Sequence, residues 1–187
     1  MTERRALFRF ILIGSLTVLL WGCPARSLHP LFTPEQSVNV AAIEGWWRTD
    51  GAEYRFEVLE GTNYKVTVIS TEDQDTAMYA GQFGRVRGTL YLDTAPLSSS
   101  DEHHYLSVHL FSRIDLNGDS LTLRTLDGEW LVKLADNKQL RTPFVRRENE
   151  IILTGTPAEL QSFVASAAAV ADAYPDISRF VRLPVLR

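Results

Sequence analysis

The sequence predicts a mainly β fold: an antiparallel up-and-down meander that closes into a barrel of about eight strands, followed by a C-terminal α-helix. Three observations predict it. From Gly45 onward the dominant hydrophobic period is two, the period of a strand with one buried face. The alternating runs are separated by short Gly- or Asn-containing turns, which join neighbours as hairpins. An open sheet of that many strands would leave two edges exposed, and closure removes them.

The elements follow in order. In residues 53–59, Tyr54, Phe56 and Val58 alternate with Glu53, Arg55 and Glu57. Glu60-Gly61-Thr62-Asn63 reads as a turn, after which Tyr64, Val66 and Val68 alternate with Lys65 and Thr67. Residues 76–83 and 88–93 form a second pair, with Gly84 and Gly88 between and beside them. Residues 105–116 and 119–126 flank Asn117-Gly118, the strongest hairpin signal in the chain. Residues 144–147 and 151–154 read as a final pair turning at Glu148-Asn149-Glu150.

Two segments break the alternation. Residues 127–134 fit a short helix with Trp130, Leu131 and Leu134 on one side, or alternatively a strand. Thr156-Pro157-Ala158-Glu159 has the pattern of a capping box: a Thr N-cap, Pro in the first turn and an acid at the third position. Leu160, Phe163, Val164, Ala167 and Ala168 then recur at helical spacing. This helix is expected to run to about Asp172 and to lay its stripe on the outside, or one open end, of the barrel. The last dozen residues, with Ile177, Phe180, Val181 and Leu183, read as a further strand or a packed tail.

The start of the chain reads as an address. Arg4, Arg5 and Arg9 precede an apolar run from Phe10 to Trp21, too short for comfortable transmembrane spanning. Leu20-Trp21-Gly22-Cys23 resembles a bacterial lipobox and ends at the only cysteine. That resemblance implies a leader over residues 1–22 and a lipidated Cys23. Export by the general secretory or the twin-arginine route is open. Pro24 rather than Asp after the cysteine favours the outer membrane if the host is Gram-negative. The domain reading is therefore a lipoprotein signal peptide over 1–22, lipidated cysteine and tether over 23–37, an antiparallel β-barrel over 38–155, and a C-terminal helix and tail over 156–187. Removing 1–22 takes three basic residues and one acidic residue and moves the net charge from −4 to −6. Such a body repels anionic lipid, so attachment to the cell envelope rests on the acyl chains. The same acidity disfavours nucleic acid as a partner.

Gly45-Trp46-Trp47 resembles the Gly-x-Trp signature of lipocalins and their calycin relatives. The resemblance implies a lipocalin-like barrel with Gly45 and Trp47 at one end, the ring lying under an arginine. Arg113 and Arg124 are both candidate covers. More widely, His29-Pro30-Leu31-Phe32-Thr33 and Ile43-Glu44-Gly45-Trp46-Trp47 are similar to the opening of a family of small bacterial lipoproteins that has no established activity.

The chemistry-bearing residues point to no reaction. In residues 102–109, His103 and His109 would lie about 20 Å apart along a strand, and His104 faces the other way, so no shared metal is expected. Asp115-Leu116-Asn117-Gly118-Asp119 starts like a calcium loop, but its sixth and twelfth positions are Ser120 and Leu126 rather than Gly and Glu. Ser98, Ser99, Ser100 and Ser107 sit in no nucleophile elbow. Glu72, Asp73 and Asp75 read as solvated turn charges, and Arg141, Arg146 and Arg147 as a small basic spot. No cofactor, metal or catalytic residue is assigned. The expected function is a non-catalytic, membrane-tethered module that holds an apolar small molecule or lipid. The alternative is an accessory lipoprotein that binds an envelope protein by a sheet face or the C-terminal helix.

Overall fold

The computed structural model of the chain describes residues 23–97 and 106–184. The leader reading of residues 1–22 and the readings of Ser98, Ser99, Ser100, His103 and His104 lie outside these residues. The strands are β1 (Arg26–Ser27), β2 (Gly45–Thr49), β3 (Ala52–Glu60), β4 (Asn63–Ser70), β5 (Thr76–Val86), β6 (Thr89–Pro96), β7 (Leu110–Asn117), β8 (Ser120–Thr125), β9 (Phe144–Arg147), β10 (Glu150–Leu153) and β11 (Ser178–Arg182). The helices are α1 (Gly128–Asp136) and α2 (Pro157–Ala167). No helix among the described residues is long and apolar enough to cross a membrane.

Eight strands close an antiparallel, lipocalin-like barrel in the order β11-β2-β3-β4-β5-β6-β7-β8. Alternation determines what faces inward. Tyr54, Phe56 and Val58 pair with Val68, Val66 and Tyr64, and all six share the interior face. Phe83 pairs with Leu92 and Phe180 with Leu121 on the same face. Trp47, Phe56, Tyr64, Phe83, Leu121 and Phe180 fill the interior with essentially no exposure. Tyr64 and Phe83 meet edge to face at 4.9 Å, as do Tyr54 and Phe180, a favoured aromatic geometry.

Three expectations are corrected. Residues 144–153 do not belong to the barrel: β9 and β10 form a hairpin, and β10 pairs in parallel with β1 to make a separate three-stranded sheet. Only β10 alternates in burial, with Ile151 and Leu153 turned into a core on the barrel's flank. The barrel is closed instead by β11 from the tail, because Phe180 supplies an inward ring between β2 and β8. Residues 23–37 are not a loose tether: Ala25, Leu31 and Phe32 are buried. Gly84 is not at a turn; it sits inside β5, and a Cβ there would stand 2.4 Å from the Phe32 ring. The turn falls at Arg87-Gly88, both with positive φ.

A second core therefore covers the outer wall of the barrel. Tyr91 and Phe111 point outward from β6 and β7 and meet Leu31, Phe32, α1, β10 and α2. The capping box of α2 forms as predicted, with Leu160, Phe163, Val164 and Ala167 buried on its inner stripe. The helix ends at Ala167, short of Asp172, and a 3-10 turn at Ala171–Ala173 then brings Ala173 O to accept from Asp127 N–H at the start of α1. The helical reading of residues 127–134 holds, capped by Asp127.

Candidate functional site

Among the described residues, a concave surface lies outside the barrel, between α1 and α2. It is an open groove of about 570 Å3, with Trp130 and Leu134 on the α1 side, Phe163 and Ala167 on the α2 side, and Gln139, Arg141, Thr142 and Pro143 as a third wall. The helical periods explain it. Leu131 of α1 and Leu160 and Val164 of α2 go fully into the core, so Trp130 is left half-buried on the shoulder, where its ring comes within 5.8 Å of the buried Phe163 ring. Gly155 lets the third wall come close: a Cβ there would meet the Thr142 methyl at 2.9 Å.

The polar groups of the groove are mostly occupied. Ser162 and Ser166 donate to Ala158 O and Phe163 O of their own helix, at 2.9 and 2.7 Å. Glu159 accepts from the Thr156 N–H and hydroxyl, which hold its carboxyl below the usual carboxylate range. The groove thus presents rings and methyls, with exposed Arg141 at its rim.

The barrel end named by Gly45 and Trp47 is tightly built. Gly45 has φ of +111°, a region open to glycine, and Trp47 donates from Nε1 to Ile43 O at 2.7 Å. The arginine over the Trp47 ring is Arg182 from β11, with its guanidinium carbon 4.2 Å from the ring centroid. It also donates to Glu44 O and Ala42 O and pairs with Asp119. Neither Arg113 nor Arg124 serves, because both face outward: Arg113 donates to Ala168 O beside Tyr174, and Arg124 pairs with Asp115. A sequence reading misses Arg182 because β11 reaches β2 only through closure of the barrel.

Sequence reasoning also misses a buried carboxylate on the outer wall. Asp93 is 3% exposed and accepts from Leu31 N–H at 2.7 Å, while its other oxygen lies 2.8 Å from His109 Nδ1. Ser27 exchanges two backbone hydrogen bonds with His109, but its hydroxyl donates to His29 O and is wholly buried. These residues form a latch that fastens the N-terminal segment, with no accessible nucleophile in the set. Tyr91 donates to Val164 O, and burial pushes its phenol and that of Tyr174 up from the ordinary range.

The other sequence candidates scatter. Asp115 and Asp119 flank the β7–β8 turn in separate ion pairs. Asp73 and Asp75 lie in the exposed β4–β5 turn, where hydrogen bonds from Ser70 and the Asp75 N–H hold the Asp73 carboxyl low. No group of three metal-ligating side chains occurs among the described residues. Cys23 is exposed, and its carbonyl accepts from Gly128 N–H at 2.8 Å at the start of α1. Comparison with known families, curated proteins and solved structures returns no match.

Proposed function

We propose that this chain is a lipid-anchored lipoprotein of the bacterial cell envelope, outer membrane if the host is Gram-negative. In this reading it works as a non-catalytic accessory module that engages an envelope protein through the α1–α2 groove. The observation that carries the reading is the contrast between the two concavities. The barrel interior is packed with buried rings, whereas the open groove beside it is lined by the half-buried Trp130 next to the buried Phe163 ring. An accessible tryptophan in an open, rimmed hollow suits a protein partner better than an enclosed small ligand.

A second reading has its own support. The groove volume falls within the range of small-molecule sites, and its lining is mainly apolar, so an apolar small molecule or lipid is the alternative occupant. Cys23 completes the proposal: its carbonyl is fixed to α1, so acyl chains on it would hold the body directly against the bilayer without a free linker.

In-cell photocrosslinking from Ser162 tests the partner. The expected result is a discrete protein adduct that a probe at Arg87, in the β5–β6 turn, does not give. No adduct, together with an apolar molecule co-purifying with the body, overturns the partner reading. Labelled palmitate entering the native chain and not Cys23→Ser tests the anchor.

A further inference from the structure

We infer that the outer edge of β9 is a strand-addition site for an extended acidic segment of a partner protein. This deepens the partner reading above and rests on it. The backbone supplies the first part of the argument. Arg147 pairs with Glu150 across the two-residue turn Glu148-Asn149, Val145 pairs with Ile152, and Thr154 N–H donates to Pro143 O. The alternation of an antiparallel ladder then turns the N–H and C=O groups of Phe144 and Arg146 away from β10, toward an edge that no strand pairs among the described residues. Two residues whose edge groups meet no backbone partner among the described residues match the repeat that an added strand reads.

Side chains supply the second part. All four residues of β9 are exposed, including Phe144 at 37% and Val145 at 55%. Charges alone would serve to guard a bare edge against wrong pairing, and guarding does not call for two exposed apolar side chains on the same short strand. Those side chains offer apolar footing on both faces of an added strand.

Charge selects the partner. Residues 138–147 contain Lys138, Arg141, Arg146 and Arg147 and no acid, on a chain of net charge −4. Asp136 engages Arg146, while Arg141 and Arg147 have no ion pair among the described residues. A second copy of β9 would bring arginines against arginines, so self-pairing is disfavoured, and an acidic strand is complementary. The edge is also continuous with the groove, because Arg141, Thr142 and Pro143 line the groove and lead straight into Phe144.

The test uses the full-length chain in detergent and a dye-labelled peptide of alternating valine and glutamate. Saturable binding is expected, with slowed amide exchange at Phe144 and Arg146. The peptide with lysine for glutamate, and one with proline at alternate positions, should not bind. Arg147→Glu and Arg141→Glu should each weaken binding by about fivefold, the scale of one exposed ion pair. Equal binding of acidic and basic peptides, or unchanged exchange at Phe144 and Arg146, overturns the inference. Binding left unweakened by Arg147→Glu but lost in Ser162→Arg would assign the peptide to the groove. That result also overturns strand addition, and it leaves the groove reading standing.

Discussion

Phe32→Ala distinguishes a folded strap from a loose tether. Phe32 is 1% exposed, and its ring lies on the bare backbone of Gly84 in β5. Removing a fully buried Phe side chain costs about 3–5 kcal/mol, a large share of the roughly 5–15 kcal/mol that holds a domain folded. Gly84→Ala acts in the opposite sense. Its Cβ would stand 2.4–2.6 Å from three ring carbons, an overpacking that costs about 1–3 kcal/mol. The two changes share one space, so they cannot add. With the ring gone, the new methyl fills part of the hole, and the double variant should be more stable than the sum of the singles by about 1–3 kcal/mol. Urea unfolding followed by tryptophan fluorescence reads all four corners, at constant denaturant dependence. Phe32→Ala within about 0.5 kcal/mol of the native chain would refute the strap, since surface changes stay within that margin. Strict additivity would refute the ring-on-glycine contact.

Three further outcomes are expected. Arg182→Ala should cost about 2–3 kcal/mol by loss of its carbonyl bonds and its contact with Trp47. It should cost more than Arg124→Ala in the same unfolding assay, and an equal or smaller loss would show that Arg182 is not the cover. Asp93→Ala should cost about 1–3 kcal/mol and speed amide exchange at Leu31, because it removes the hydrogen-bond partner of both His109 and the Leu31 N–H; unchanged exchange would remove the latch. The Glu159 carboxyl sits below its usual value of 4.5 in the folded chain, so its contribution to α2 is present above that pH and is lost as the pH falls through the folded value. Carbon-detected titration should give a depressed Glu159, and Glu159→Gln should flatten the acid dependence of α2 protection; a normal titration would contradict the cap.

The parts of the fold legible in the sequence are those written locally. Tyr54-Phe56-Val58 against Tyr64-Val66-Val68 is a period-two pattern around a turn, and its register follows. Thr156-Pro157-Ala158-Glu159 announces α2 because a cap is four consecutive residues. What stayed hidden depends on distant contacts. Pro24, Pro30 and Pro34 look like a linker until Leu31 and Phe32 find the outer wall of β5–β7. Gly84 looks like a turn until a ring needs its missing side chain. Both groove-forming stripes, Trp130 with Leu134 and Phe163 with Ala167, were visible as helix faces. Their meeting was not, because nothing local relates α1 to α2. The basic spot of Arg141, Arg146 and Arg147 was equally visible, but β9 became an edge only once β11 had taken its expected place in the barrel.

Native mass spectrometry of the Cys23→Ser body, exported in its host, tests most directly whether the barrel is a filled scaffold with its binding surface outside. The account predicts a bare chain or a chain with bound protein. A stoichiometric apolar molecule that persists when Ser162→Arg fills the groove would put the ligand inside the barrel and contradict it.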